Sequence, residues 1–173
     1  MADKPEKLSK SRRLAMRGIM VPFAMILSYL ESLIPFNFVV PGAKIGLANT
    51  VTVFALLRIG TADALIVSTI RAVLTAVLFG NVVMMVYSLA GGSLSVLIMS
   101  LFSRSGKFGV IGISIAGAVS HNIGQCFAAS ILMRNKNILW YLPALLLYGV
   151  ISGLVTGIIS SELIKRIDLQ FTA

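Results

Sequence analysis

Six apolar stretches, most of them long enough to cross a lipid bilayer, occupy nearly the whole of this 173-residue chain. A helix of roughly 20 apolar residues spans the hydrocarbon core and satisfies its backbone polar groups internally. The chain is 57% hydrophobic and only 12% charged, about half the charged fraction of a typical soluble domain. The sequence therefore predicts an all-α integral membrane bundle of about six transmembrane helices. The predicted spans are 14–34, 45–59, 62–79, 82–102, 108–133 and 138–164.

The domain organisation that follows is a single transmembrane domain at 14–166, with a basic tail at 1–13 and a short tail at 167–173. This length leaves no room for a separate soluble catalytic domain. The second span is short and polar, so a tilted helix and a partly re-entrant one both remain open. The N-terminal pattern also resembles a signal peptide, but the absence of a small-x-small cleavage site favours a retained first helix.

Positive charge is distributed unevenly along the chain, whose net charge is +9. If the N-terminus is cytoplasmic, eleven lysines and arginines lie on the cytoplasmic side and three on the opposite side. This asymmetry predicts that both termini are cytoplasmic. The basic tail is interpreted as part of this charge asymmetry, which sets the orientation, and as a segment attracted to anionic lipid. Nucleic-acid binding is not expected, because no basic or aromatic pattern extends beyond the tail.

Small residues recur at four-residue spacing on three spans, a pattern that is typical of close helix–helix approach. It predicts packing within the bundle, and docking of a partner membrane protein, through the first span, is the alternative. The residues are Ala24, Ser28 and Ser32 on the first span, Gly112, Ala116, Ser120, Gly124 and Ala128 on the fifth, and Gly149, Gly153 and Gly157 on the sixth.

Ionisable and amide side chains inside the predicted spans are few, and each is a functional candidate because a charge buried in lipid is costly. Most of them fall in the outer half of the bundle, which predicts a polar pocket that opens outward. The set contains two cations, Lys44 and Arg71, and one carboxylate, Glu31. This balance suits a ligand with a carboxylate or phosphate group. The predicted ligand-binding residues are Glu31, Lys44, Asn49, Arg71, His121, Asn122 and Gln125.

Structural roles remain open for several of these polar residues. For Glu31 and Arg71, the structural alternative is a buried ion pair in which each neutralises the other. For His121, it is a hydrogen bond between helices. For Lys44, the structural alternative is that its side chain extends to the lipid headgroups. Asp63, near the predicted cytoplasmic turn, is interpreted as a helix-start or interfacial charge.

Catalytic and metal-binding motifs are absent from the sequence. One cysteine and one histidine exclude an intramolecular disulfide and a cysteine metal cluster. The three aspartates are not clustered, and no Walker loop, HExxH, GxSxG or CxxC motif occurs. We therefore expect no enzyme activity, no catalytic residue, no metal and no covalently bound cofactor. An ATP-driven process requires a separate ATPase.

Four ordered segments carry a resemblance to a known family, and they are Leu30–Phe36, Pro41–Asn49, Tyr87–Gly92 and Gly117–Gln125. They resemble the bacterial Gx transporter family, often labelled heptaprenyl diphosphate synthase component I. That family is similar to the six-helix substrate-binding (S) components of energy-coupling factor (ECF) transporters. The resemblance implies a membrane subunit that binds a small vitamin-like or anionic molecule. Its partners are then the lipid bilayer, a coupling subunit and two ATPases.

The same resemblance implies a location in the bacterial cytoplasmic membrane. Family members occur in flavin-linked extracellular electron-transfer systems, which makes a flavin or a quinone a candidate ligand. An alternative function is a non-catalytic membrane subunit of isoprenoid-quinone synthesis or of such an electron-transfer system. S components dock their coupling subunit through an AxxxA-type patch on the first helix, where this chain has Ala24, Ser28 and Ser32.

Overall fold

The computed structural model describes residues 9–33 and 46–171, together with the side chains of those residues except Ser32 and 168–171. Helices and short turns make up these ranges, and no strand occurs in them. The helices are α1 (Lys10–Ser32), α2 (Leu47–Arg58), α3 (Thr61–Phe79), α4 (Val82–Ser105), α5 (Val110–Leu132) and α6 (Leu142–Phe171), with a 3-10 helix (Lys136–Tyr141) before α6. The predicted all-α bundle of six helices is confirmed.

Helix α2 differs from the other five helices in length and in surroundings. The other five are long and apolar enough to cross a membrane. Helix α2 has 12 residues, a rise of about 18 Å against a hydrocarbon core of about 30 Å. Every residue from Thr50 to Leu57 is buried. The second segment is therefore an internal helix, which its neighbours shield from lipid.

The ends of the helices follow from local capping chemistry. Ser9 accepts a hydrogen bond from the Arg12 backbone N–H (3.3 Å), so α1 begins at Lys10, four residues before the predicted start of the span. Asn81 caps α4 in the same way through the Met84 N–H (2.9 Å). An acceptor side chain at this position satisfies a backbone donor that the helix itself cannot pair.

The glycine stripe of α6 packs directly against the backbone of α5. A Cβ atom at Gly153 would lie 2.6 Å from the Ile115 Cα, and one at Gly157 would lie 2.9 Å from the Ile111 Cα. A Cβ atom at Gly149 would also contact α5 closely. Because only glycine allows this approach, the stripe on α6 is buried inside the chain and not available to a partner.

The small-residue stripe of α1 also faces the interior of the bundle. Ala24 is completely buried in the core, and the Ser28 hydroxyl accepts a hydrogen bond from Arg71 on α3. The side chain of Ser32 lies outside the described residues. On the part of α1 that the structure describes, this stripe packs against α3 and the core, which disfavours docking through Ala24.

One buried ion-pair cluster joins α1 to α3 at the end of the bundle where α1 begins. Asp63 is completely buried, and its carboxylate accepts hydrogen bonds from both Arg13 and Arg17. The two arginines are four residues apart, so they share one face of α1. The interpretation of Asp63 as a helix-start charge is confirmed, because it lies in the first turn of α3; its complete burial rules out an exposed interfacial charge. Because α1 starts early, Arg13 of the predicted tail joins Arg17 on one helix face, and together they neutralise this carboxylate.

Candidate functional site

A small cavity lies inside the bundle at the N-terminal end of α2. Every one of the six helices, counting the residue that caps α2, contributes to its wall. The described lining residues are Glu31, Gly46, Ala48, Asn49, Arg71, Ser88, Ala118, His121, Asn122, Gln125 and Ser152. The centre of a water-sized sphere has about 40 Å³ in which to move, which is room for about three water molecules.

Six of the seven predicted ligand-binding residues line this one cavity: Glu31, Asn49, Arg71, His121, Asn122 and Gln125. Lys44 lies outside the described residues. The six come from four helices and from positions up to 94 residues apart in the chain, and their role in binding stays a prediction. Sequence reasoning missed Ser88 and Ser152, because serine is common in membrane helices and carries no signal of its own.

Glu31 and Gly46 close the side of the cavity between α1 and α2. Glu31 lies in the last turn of α1 and is 7% exposed. Its Oε1 atom accepts a hydrogen bond from the Gly46 backbone N–H. Gly46 caps α2 with a φ of 79°, a left-handed conformation that glycine adopts without strain. The end of α1 and the start of α2 are thereby joined at the wall of the cavity.

Arg71 contributes a buried guanidinium from the middle of α3. The residue is 9% exposed, and its Nη1 atom donates to the Ser28 hydroxyl over 3.2 Å. Its Nε atom has no hydrogen-bond partner among the described residues. Glu31 interacts with it electrostatically, so the two charges offset one another in part. Arg71 thus retains hydrogen-bonding capacity beside open space.

The polar residues of α5 hold neighbouring helices in place and also line the cavity. Asn122 donates from Nδ2 to the Leu145 carbonyl (2.7 Å) and so anchors the start of α6. On the α4 side, a Cβ atom at Gly91 would lie 2.7 Å from both the Gln125 Cγ and the His121 carbonyl oxygen. Glycine at this position lets α4 approach closely, and the approach fixes where His121 and Gln125 stand.

The described wall is polar, and its two charged residues are Arg71 and Glu31. Among the described lining residues, only Ala48 and Ala118 have apolar side chains, and none is phenylalanine, tyrosine or tryptophan. The first turn of α2 opens onto the cavity with no side-chain hydrogen bond at its cap. A helix N-terminus carries a partial positive charge and favours anions. In the described ranges no group of three or more histidine, cysteine or acidic residues is placed to hold a metal ion.

Comparison with known proteins gives two matches. The family described as heptaprenyl diphosphate synthase component I matches residues 20–163. A solved structure, reported as the structure and mechanism of the S component of a bacterial ECF transporter, is similar over 95% of this chain and 100% of its own. The TM-score is 0.70 and the sequence identity is 17%, so this likeness shows a shared fold. No curated protein matches the sequence.

Proposed function

This chain belongs to the heptaprenyl diphosphate synthase component I family, and from that membership and its S-component fold we propose that it is a substrate-binding subunit of an ECF-type transporter. It binds a small vitamin-like or anionic molecule within the membrane and performs no chemistry on it. The observation that carries this proposal is the convergence of polar residues from all six helices on one cavity.

Structural stabilisation alone does not account for this convergence. Polar groups that serve only packing in a membrane bundle bond to one another, as the hydroxyls of Ser114 and Thr156 do over 2.9 Å. Around the cavity, in contrast, Arg71 is a lining residue whose buried Nε atom has no described partner. A buried polar atom without a partner costs free energy in the empty protein, and a bound ligand recovers that cost.

The orientation and the partners follow from the charge distribution and the fold. We propose that the protein lies in the bacterial cytoplasmic membrane with both termini cytoplasmic. The cavity then lies toward the outer side, because the Asp63 cluster marks the opposite end of the bundle. The sequence carries no nucleotide-binding motif, so energy for release comes from a coupling subunit with separate ATPases.

Identification of molecules retained by the protein tests this function. The protein is purified in mild detergent, and its small-molecule extract is analysed by mass spectrometry beside two variants. Gln125→Met removes an amide from the cavity wall, and Thr69→Val removes a hydroxyl from an exposed position on α3. We expect one molecule to be retained by the wild type and Thr69→Val, and reduced about tenfold in Gln125→Met. Equal retention by all three proteins, or by none, contradicts the proposal.

The family description supports a second function, a non-catalytic membrane subunit of isoprenoid-quinone synthesis or of a flavin-based electron-transfer system. Prenyl transfer needs clustered aspartates for magnesium diphosphate, whereas Asp63 is engaged by Arg13 and Arg17. A subunit of this kind supplies or accepts a flavin- or quinone-related molecule. Co-purification with a prenyl synthase, and not with ECF ATPases, would favour this second function over the first.

A further inference from the structure

We infer that the cavity binds the carboxylate group of a small hydrophilic ligand, with Arg71 as the residue that pairs with this anion. The inference rests on the proposed function, because it names the class of ligand that the same cavity takes. Two independent features of the wall favour an anion, and two others favour a carboxylate on a polar molecule.

The first feature is the state of the Arg71 side chain. Arg71 is 9% exposed, and its Nη1 atom is held by the Ser28 hydroxyl. Its Nε atom has no partner among the described residues, although the side chain lines the cavity. A carboxylate commonly accepts two parallel hydrogen bonds from a guanidinium, which is stronger than a neutral contact. Arg71 is therefore fixed in place and still has a donor for an anion.

The second feature is the N-terminus of α2. Gly46, Ala48 and Asn49, which cap and begin this helix, all line the cavity. The cap residue makes no side-chain hydrogen bond, and the Glu31 carboxylate engages the Gly46 backbone N–H. The positive end of the helix dipole therefore lies in the same wall as Arg71 and is offset in part by Glu31. The two positive elements come from different helices, and Glu31 lies close to both; the carboxylate of a ligand would share them with Glu31.

The third feature, the charge and the size of the cavity, favours a carboxylate over a phosphate. Glu31 is buried in the same wall and interacts electrostatically with Arg71. A dianionic phosphate would meet this second negative charge with a single described guanidinium to balance both. The cavity, as the described residues bound it, has room for about three water molecules, which suits a carboxylate better than the larger phosphate.

The fourth feature is the lack of apolar surface on the described wall. Binding a flavin ring or a quinone requires broad aromatic or aliphatic surfaces, and here only Ala48 and Ala118 are apolar. The amides of Asn49 and Gln125 instead offer hydrogen bonds to a polar molecule. The end of the ligand that enters this cavity is thus hydrophilic, and a ring or prenyl chain does not fill it.

Retained-ligand analysis and thermal stability together test the inference. The variants are Arg71→Gln, which removes the charge, Arg71→Lys, which keeps it, and Ser28→Ala, which leaves the guanidinium intact. Lys136→Gln serves as the matched control, because it removes a cation from an exposed position. Molecules retained by each protein are identified by mass spectrometry. Melting temperatures are measured with sodium acetate, sodium phosphate, riboflavin or menadione, each against sodium chloride at equal ionic strength.

We expect the retained molecule to carry a carboxylate. Its amount falls at least tenfold in Arg71→Gln, less in Arg71→Lys, and not at all in Lys136→Gln. Acetate raises the melting temperature of the wild type by about 2–4 °C, the shift that weak binding of a folded state produces, and has no such effect on Arg71→Gln. If Arg71→Gln does not fold, Arg71→Lys and the response of the wild type to acetate decide the outcome.

Other outcomes overturn the inference. A retained molecule that is neutral, a flavin or a quinone leaves the proposed function standing and refutes the carboxylate assignment. The same follows if folded Arg71→Gln retains the molecule at the wild-type level, or if phosphate, riboflavin or menadione stabilises the wild type more than acetate does. If no molecule is retained and acetate has no effect, the proposed function falls as well.

Discussion

Arg17 of α1 donates a hydrogen bond from its Nε atom to the carboxylate of Asp63 on α3, a residue that is completely buried. Arg13 donates to the same carboxylate one helical turn earlier. This cluster fixes the end of the bundle opposite the cavity, and it gives α1 a polar anchor that its largely lipid-exposed surface does not provide.

We predict that Asp63→Asn destabilises the protein by about 2–4 kcal/mol, because it leaves two arginines without a counter-charge. This loss of unfolding free energy is at the lower end of the range for removing one partner of a buried ion pair. The reason is that the Arg13 and Arg17 side chains are 38% and 28% exposed. Unfolding in mixed micelles measures the change. Glu162→Gln is the control, because Glu162 pairs with Lys165 on the surface, where such a pair contributes about 0–1 kcal/mol. Equal effects of both substitutions would contradict a structural role for the buried cluster.

Gly153→Ala tests the contact between α5 and α6. The added methyl group meets the Ile115 Cα at 2.6 Å, and backbone cannot move aside as a side chain does. We expect a loss of about 1–3 kcal/mol of unfolding free energy. Gly18→Ala on α1 is the matched substitution, because a Cβ there has no neighbour within 4 Å. It is expected to be neutral or slightly stabilising, since alanine favours a helix more than glycine does.

Gly91→Ala and Gly92→Ala form a pair of adjacent substitutions with different expected effects on ligand binding. A Cβ at Gly91 meets the backbone oxygen of His121, whereas one at Gly92 meets the Ser68 hydroxyl, a side chain that is able to rotate. We predict that Gly91→Ala lowers the amount of retained ligand at least fivefold by displacing His121 and Gln125. Gly92→Ala should retain most of it. A larger loss in Gly92→Ala would show that the α4–α5 contact does not shape the cavity.

The orientation in the membrane is open to a direct labelling test. Cys126 is buried, so Cys126→Ala provides a background for new cysteines at two exposed positions. These are Ser105 at the end of α4 and Asn135 between α5 and the 3-10 helix. With both termini cytoplasmic, a membrane-impermeant maleimide added to intact cells should label Asn135→Cys and leave Ser105→Cys unlabelled until the cells are opened. The reverse pattern would invert the topology and place the cavity toward the cytoplasm.

The number of helices and most of the cavity were predictable from the sequence because the bilayer imposes strong rules. A span needs a long apolar run, and a charged or amide residue within it stands out. Glu31 and Arg71 were found in this way, and both line the cavity. Ser88 and Ser152 were not, because serine satisfies its hydroxyl within its own helix and is common in such spans.

Contacts between distant segments were not predictable in the same way. The partner of Asp63 depends on where α1 begins, and the Ser9 cap that sets this start precedes the apolar run. The burial of α2 likewise depends on α6. Ser160 donates to the Thr50 carbonyl over 3.4 Å, and Arg58 donates to the Ile164 carbonyl over 3.3 Å, across 110 and 106 residues of sequence. No local pattern in α2 identifies these neighbours.

The enclosure of α2 also bears on how the protein is synthesised and inserted. Helix α2 has 12 residues, and a segment of this length partitions poorly into lipid by itself. The α6 carbonyls and hydroxyls that contact it leave the ribosome more than one hundred residues later. The contacts that enclose α2 therefore form only after α6 has been translated.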